Sequence, residues 1–120
     1  MKLAQVAVNV KDLGRATAFY RDVLGLPFLF EAPPGLAFFD AGDVRVMLAR
    51  AERPEDDHAA STLYYQVPDI NRAYDEVKSR GATFEGPPQV VHRDQLHELW
   101  MAFLRDTEGN LLALMCPKPL

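Results

Sequence analysis

Two stretches of the chain repeat one grammar. QVAVNVKDLGRATAFYRDVLGLPF (5–28) and TLYYQVPDINRAYDEVKSRGATF (62–84) each read as strand, aspartate, helix, glycine and next strand. In the first, residues 5–10 alternate polar and apolar side chains, the period of a strand with one face in a core. Asp12 offers an N-cap, and Ala16, Phe19, Tyr20, Val23 and Leu24 make the stripe of an amphipathic helix that Gly25 ends. In the second, residues 62–67 are the strand and Asp69 the cap; Ile70, Ala73, Tyr74 and Val77 are the stripe and Gly81 the stop. Val10 and Val67, Asp12 and Asp69, Arg15 and Arg72, and Ala16 and Ala73 each stand 57 apart, whereas Gly25 and Gly81 stand 56 apart, so the second helix has one residue fewer. A hairpin-like tail follows each copy, LAFFDAGDVRVMLAR and ELWMAFLRDTEGNLLALM, with Asp40 and Asp106, and Leu48 and Leu114, both 66 apart. Such repetition predicts an α+β chain of two tandem βαβββ modules within one domain: module one about 1–49, a linker about 50–60, module two about 61–120.

In chain order, the pattern predicts a strand over 1–11, a helix over 13–24 and a short strand over 27–31, with a turn at Ala-Pro-Pro-Gly (32–35). A hairpin over 36–40 and 44–49 follows, then the linker RAERPEDDHAA, which mixes charges and has no apolar period. After the second helix, Gly86-Pro87-Pro88 echoes the earlier turn, residues 89–92 read as strand and 93–95 as a polar loop. The last hairpin joins 99–105 to 111–116 around Asp106-Thr107-Glu108-Gly109-Asn110, and Pro117 and Pro119 either close a sheet edge or begin a tail.

With 120 residues the chain can bury roughly two-thirds of the surface its unfolded form exposes. A net charge of −4 with no basic stripe argues against a nucleic-acid partner. No long apolar run or signal-peptide pattern points to a membrane, and the single cysteine, Cys116, cannot form an internal disulfide, so the expected compartment is the cytoplasm.

Each sheet is expected to be apolar toward its helix and mixed on the other face. Gln5 and Asn9 share that second face, as do Thr62, Tyr64 and Gln66; Arg45, Met47 and Ala49 share another, as do Leu111, Ala113 and Met115. A concave, mostly apolar surface with a few placed polar groups suits a small molecule. The alternative is that these faces pack on each other or on a partner chain.

The stretch VKDLGRATAFYRDVLGLPF and the closing RDTEGNLLALM resemble the vicinal oxygen chelate superfamily of glyoxalases, bleomycin-resistance proteins and extradiol dioxygenases, with Thr107 where that family commonly has proline. The resemblance covers nearly all of the chain. It implies paired βαβββ modules whose strands curl around a cavity, usually in a homodimer, and in its enzymes a divalent metal held by His or Gln, Glu, His and Glu. Carried over by motif, those positions fall on Gln5, Met47, Thr62 and Ala113, of which only Gln5 could ligate. The two carboxylates that bind metal and act as base are absent, so the expectation is a cavity that binds a small organic molecule with no metal or other cofactor.

Other chemistry is sparse. Arg45 projects from the same face as Met47, where it would anchor a ligand carboxylate or phosphate, or else pair with an acid across the sheet. Asn9 stands where some glyoxalases place arginine, and one of Tyr64 and Tyr65 is expected in the cavity. His92, His97 and Glu98 form the densest donor cluster. His97, with Trp100 as an aromatic wall, would be a general base or polar anchor, or a rim histidine with a structural bond; His58 reads as solvated linker. The ligand-contacting set expected is Gln5, Asn9, Arg45, Met47, Thr62, Tyr64, Trp100 and Ala113. The alternative function is an enzyme of lyase, isomerase or dioxygenase type, using a displaced metal or acid–base catalysis at His97.

Overall fold

The computed structural model describes residues 1–120, whose close packing falls into two units: residues 1–61 with the turn 106–110, and residues 62–105 with 111–120.

The first unit contains β1 (Gln5–Asn9), α1 (Leu13–Ala18), a π-helical turn (Phe19–Leu24), β2 (Phe28–Ala32), β3 (Leu36–Asp40) and β4 (Arg45–Ala49). Its sheet runs β1-β4-β3-β2, with β1 parallel to β4 and the other neighbours antiparallel. Asp12 caps α1 as its sequence predicts, its Oδ1 accepting from the Arg15 amide at 3.0 Å. The single α-helix expected over 13–24 is not what forms. Its second half winds wider, with the Gly25 amide donating to the Tyr20 carbonyl five residues back, before Gly25 turns left-handed at φ +88. Ala16, Phe19 and Tyr20 are buried, as are Val8, Val46, Leu48, Ala37 and Phe39 on the helix-facing side of the sheet, and the Tyr20 and Phe39 rings lie 6.0 Å apart.

The turn 106–110 is built into this unit by hydrogen bonds. Tyr20 donates its hydroxyl to Asp106 Oδ2 at 2.7 Å, and Asp106 Oδ1 accepts from the amides of Glu108 and Asn110. Asn110 Nδ2 donates to Asp106 Oδ2 and to the Asn9 carbonyl, and its Oδ1 accepts from the Ala60 amide. Glu108 Oε1 accepts from the amides of Lys11 and Asp12, both at 2.8 Å, while Oε2 takes Arg15 Nε and the Thr107 hydroxyl. A carboxylate thus occupies the donor-rich entrance to α1.

The second unit contains β5 (Leu63–Gln66), α2 (Ile70–Ser79), β6 (Thr83–Phe84), β7 (Gln89–Arg93), β8 (His97–Arg105) and β9 (Leu111–Pro119). Its sheet runs β5-β9-β8-β6, with β7 also on β8. β6 and β7 share one edge of β8, Thr83 opposite Arg105 and Gln89 opposite Met101, so they are one strand interrupted where Pro87 and Pro88 lack amide donors. Allowing for that break, the order repeats that of the first sheet. Asp69 caps α2 through the Arg72 amide, Ile70 and Val77 are buried, and Tyr74 packs on Phe84 at 4.6 Å between ring centres. Ala102, Leu104, Leu112, Leu114 and Cys116 complete the buried side.

Some boundaries move. β1 is shorter than expected, β5 excludes Thr62, and the linker contains a 3-10 turn at Pro54–Asp56. β8 begins two residues early because Asp94 Oδ1 accepts from the amides of Leu96 and His97 and folds the turn back at once. β9 continues through both terminal prolines. The carbonyl of Met115 faces β5, accepting from the Val67 amide, so residues 117 and 119 turn the same way, past the end of β5, where no amide is needed. No helix is long and apolar enough to cross a membrane.

Candidate functional site

Strand alternation puts Gln5, Ala7 and Asn9 of β1 on the side of the first sheet away from α1, level with Arg45, Met47 and Ala49 of β4. β3 continues this face with Phe38, opposite Met47, and β2 continues it with Phe30, opposite Phe38. A register shift between Phe28 and Phe30 sends Phe28 to the other side, against Phe39, and leaves Phe30 stacked on Phe38 with ring centres 4.6 Å apart.

Arg45 lies over this aromatic pair. Its guanidinium carbon is 5.0 Å from the Phe38 ring centre and 5.8 Å from that of Phe30, and its Nη2 donates to Gln5 Oε1 at 3.0 Å. Of the two readings of Arg45, the cross-sheet ion pair does not form. Asp40 stands directly opposite, yet its carboxylate accepts from the Gly42 amide in the hairpin turn, and Arg45 has no acid within ion-pair distance. The side chain is exposed.

Gln5 Nε2 in turn donates to the Met47 sulfur at 3.6 Å, so two of the four positions onto which the resemblance carries metal ligands are bonded to each other. In the second unit, Thr62 precedes β5 and Ala113 offers only a methyl group. One amide, one thioether, one hydroxyl and one methyl do not make a site for a hard or borderline divalent cation, and nowhere do three His, Cys, Asp or Glu side chains converge as metal ligands.

Asn9 takes a different role from the ligand contact expected of it. Both hydrogens of its amide are directed to linker carbonyls, Asp56 at 2.9 Å and His58 at 2.8 Å, which fastens the linker across the Asn9 end of the face. A cleft of about 220 Å³ beside it is bordered by Lys11, His58, Glu108 and Asn110, but the Glu108 carboxylate and the Asn110 amide are already engaged within the unit.

In the second unit, Tyr64 and Phe103 flank Ala113 on the side away from α2, their rings edge to face at 6.3 Å, and Tyr64 is 52% exposed. The small Ala113 side chain is what lets the rings meet across β9. Tyr65 points to the helix side, as alternation requires. Trp100 does not stand beside His97: counting along β8 puts it on the opposite face, under the Lys118 ammonium at 4.4 Å and bonded to Glu98. Glu98 is further held by Arg93, whose guanidinium keeps its carboxyl below the usual range. His92 and His97 share the other face, so the three donors do not gather. The open-face pair Phe30 and Phe38 was not among the expected contacts; the hairpin register, which sets Phe38 beside Met47, is the signal that identifies it.

A family model, the Glyoxalase/Bleomycin resistance protein/Dioxygenase superfamily, matches residues 2–114. The uncharacterized protein YraH of Bacillus subtilis (strain 168) is 28% identical over 127 aligned positions, covering 95% of this chain and 97% of YraH. Among solved structures, TnmS3, an antibiotic binding protein from Streptomyces sp. CB03234, superposes with a TM-score of 0.79 at 20% identity, over 98% of this chain and 97% of its own. A superfamily member from Sphaerobacter thermophilus DSM 20745 gives 0.80 at 21% identity, over 97% of both chains. At these identities the two structures speak for the fold alone, and the family match over nearly the whole length carries the assignment: the chain belongs to the glyoxalase/bleomycin resistance protein/dioxygenase superfamily.

Proposed function

We propose that this protein binds a small organic molecule on the open face of its N-terminal sheet, in the manner of the bleomycin-resistance branch, and that it does so without the divalent metal of the family's enzymes. The observation that carries the reading is that Gln5 and Met47, onto which the family resemblance carries two metal positions, bond to each other, while Gln5 also accepts from Arg45, which rests on Phe30 and Phe38. An apolar floor with one placed charge is a surface for holding a molecule rather than for activating one. TnmS3, which is an antibiotic binding protein, supports it as a precedent for this fold. Catalysis at His97 has less behind it: that residue begins β8 and is exposed, and the nearby Asp94 carboxylate accepts from the backbone amides of Leu96 and His97.

The test is elemental analysis of untagged protein after incubation with Mn²⁺, Fe²⁺, Ni²⁺ and Zn²⁺. Less than a tenth of an equivalent of each, unchanged by His97→Ala, is expected on the order of what scattered surface donors retain. A stoichiometric metal lost on replacing Gln5 or His97 would overturn the metal-free reading. The buried free Cys116 suits a reducing compartment, and a cytoplasmic homodimer is the form we propose.

A further inference from the structure

Resting on the binding reading above, we infer that the molecule taken by this face is an anion with a flat apolar body, its negative group on Arg45 and its ring on Phe30. Three observations converge. First, the Arg45 guanidinium is placed but not neutralised. Phe38 and Phe30 lie beneath it, Gln5 Oε1 takes one of its donors, and the directly opposite acid, Asp40, is turned to Gly42. A guanidinium has five N–H donors in a rigid fork, so after Gln5 is served the fork still matches a carboxylate, sulfonate or phosphate. Second, the neighbouring apolar surface is aromatic and accessible: Phe30 is 43% exposed although it is stacked on a nearly buried Phe38. A flat ring laid on Phe30 would extend that stack.

Third, the face has a measurable length. Arg45 is level with Gln5 at one end, and Asn9, with the linker fastened to it, is level with Ala49 at the other. Four residue steps along the strand separate them, about 13 Å. Between these ends lie Ala7 and Met47, which carry no charge. A molecule with an anionic head and an uncharged body up to that length is matched; one with a cationic head meets Arg45.

The experiment uses the full chain labelled with ¹³C at its methionine methyl groups, of which Met47 alone lies on this face. It is titrated separately with 2-naphthoate, 2-naphthamide and 2-naphthylmethylammonium. The three probes share a ring and differ in charge. The expected result is a Met47 shift with naphthoate at least about ten-fold tighter than with the amide, since a charge-assisted hydrogen bond is stronger than its neutral counterpart, and weaker binding still for the ammonium. Arg45→Met should remove the preference for naphthoate and Arg45→Lys keep part of it. Equal affinities for naphthoate and the amide, or tighter binding of the ammonium, would overturn the anion assignment while leaving a binding face. A preference that survives Arg45→Met would overturn the role of Arg45. If none of the three moves the Met47 signal at millimolar concentration, the binding reading falls as well.

Discussion

At Glu108, burial works to raise the carboxyl pKa, but the Arg15 side chain, the amides of Asp12 and Lys11 and the Thr107 hydroxyl outweigh it and hold the group at about 2 against an ordinary 4.5. Its side chain is 1% exposed, so solvent screens these bonds little. Because the folded value is the lower one, the stabilisation is complete above the unfolded value and drains away as pH falls from about 4.5 toward 2. A gap of that size corresponds to about 3 kcal/mol. Glu108→Gln should therefore cost about 1–3 kcal/mol at pH 7 and flatten the loss of stability below pH 4.5, as read by urea unfolding at several pH values. An unchanged acid profile would locate the sensitivity elsewhere. Legibility at this scale depended on how far away the partner stood. The caps Asp12 and Asp69 could be read because their partners are three residues on. Glu108 and Asn9 could not be read, because their partners lie 47 to 97 residues away. Trp100 was legible and misjudged: parity along β8 separates it from His97.

The helices show what one residue can do at the level of an element. Both copies start at a capping aspartate and stop at a left-handed glycine, yet the first has a residue more, and the π-helical turn Phe19–Leu24 absorbs it. The wide turn contains Tyr20, whose hydroxyl reaches Asp106, while Arg21 and Asp22 lie exposed and paired with each other. Deleting Asp22 should let the turn tighten to an ordinary helix at a cost below about 2 kcal/mol, whereas deleting Glu76 from α2 should shift Val77 off its buried face and cost more than about 3 kcal/mol. Urea melts of the two deletions check this, and equal costs would mean the π turn is needed for Tyr20. The unequal spacing of the repeats held this information, since a helix one residue longer between equivalent ends must be wound differently. The break between β6 and β7 was likewise signalled by Gly86-Pro87-Pro88, but that the two pieces form one interrupted strand is a matter of pairing with β8.

For the molecule as a whole, repetition in the sequence was enough to find two copies of one topology, and the resemblance of two motifs to a known family pointed to the superfamily they belong to. Repetition was not enough to assign the turn 106–110, which continues the second tail in sequence but belongs with the first unit. Its bonds to Tyr20, Asn9 and the start of α1 span 86 to 101 residues and leave no local trace. β2 is an edge strand with Phe28 and Leu29 exposed beside the open face, the kind of surface that other chains cover. Sedimentation velocity at micromolar concentration should accordingly return twice the 13.5 kDa chain mass; a species at the single-chain mass throughout would remove the dimer. The far edge of β9 behaves in the opposite way. With prolines at 117 and 119, the only residues of that segment turned outward, it has no donors to offer an incoming strand. It cannot template the edge-to-edge growth that leads to fibrils, so association through that edge is closed to this chain however crowded its surroundings.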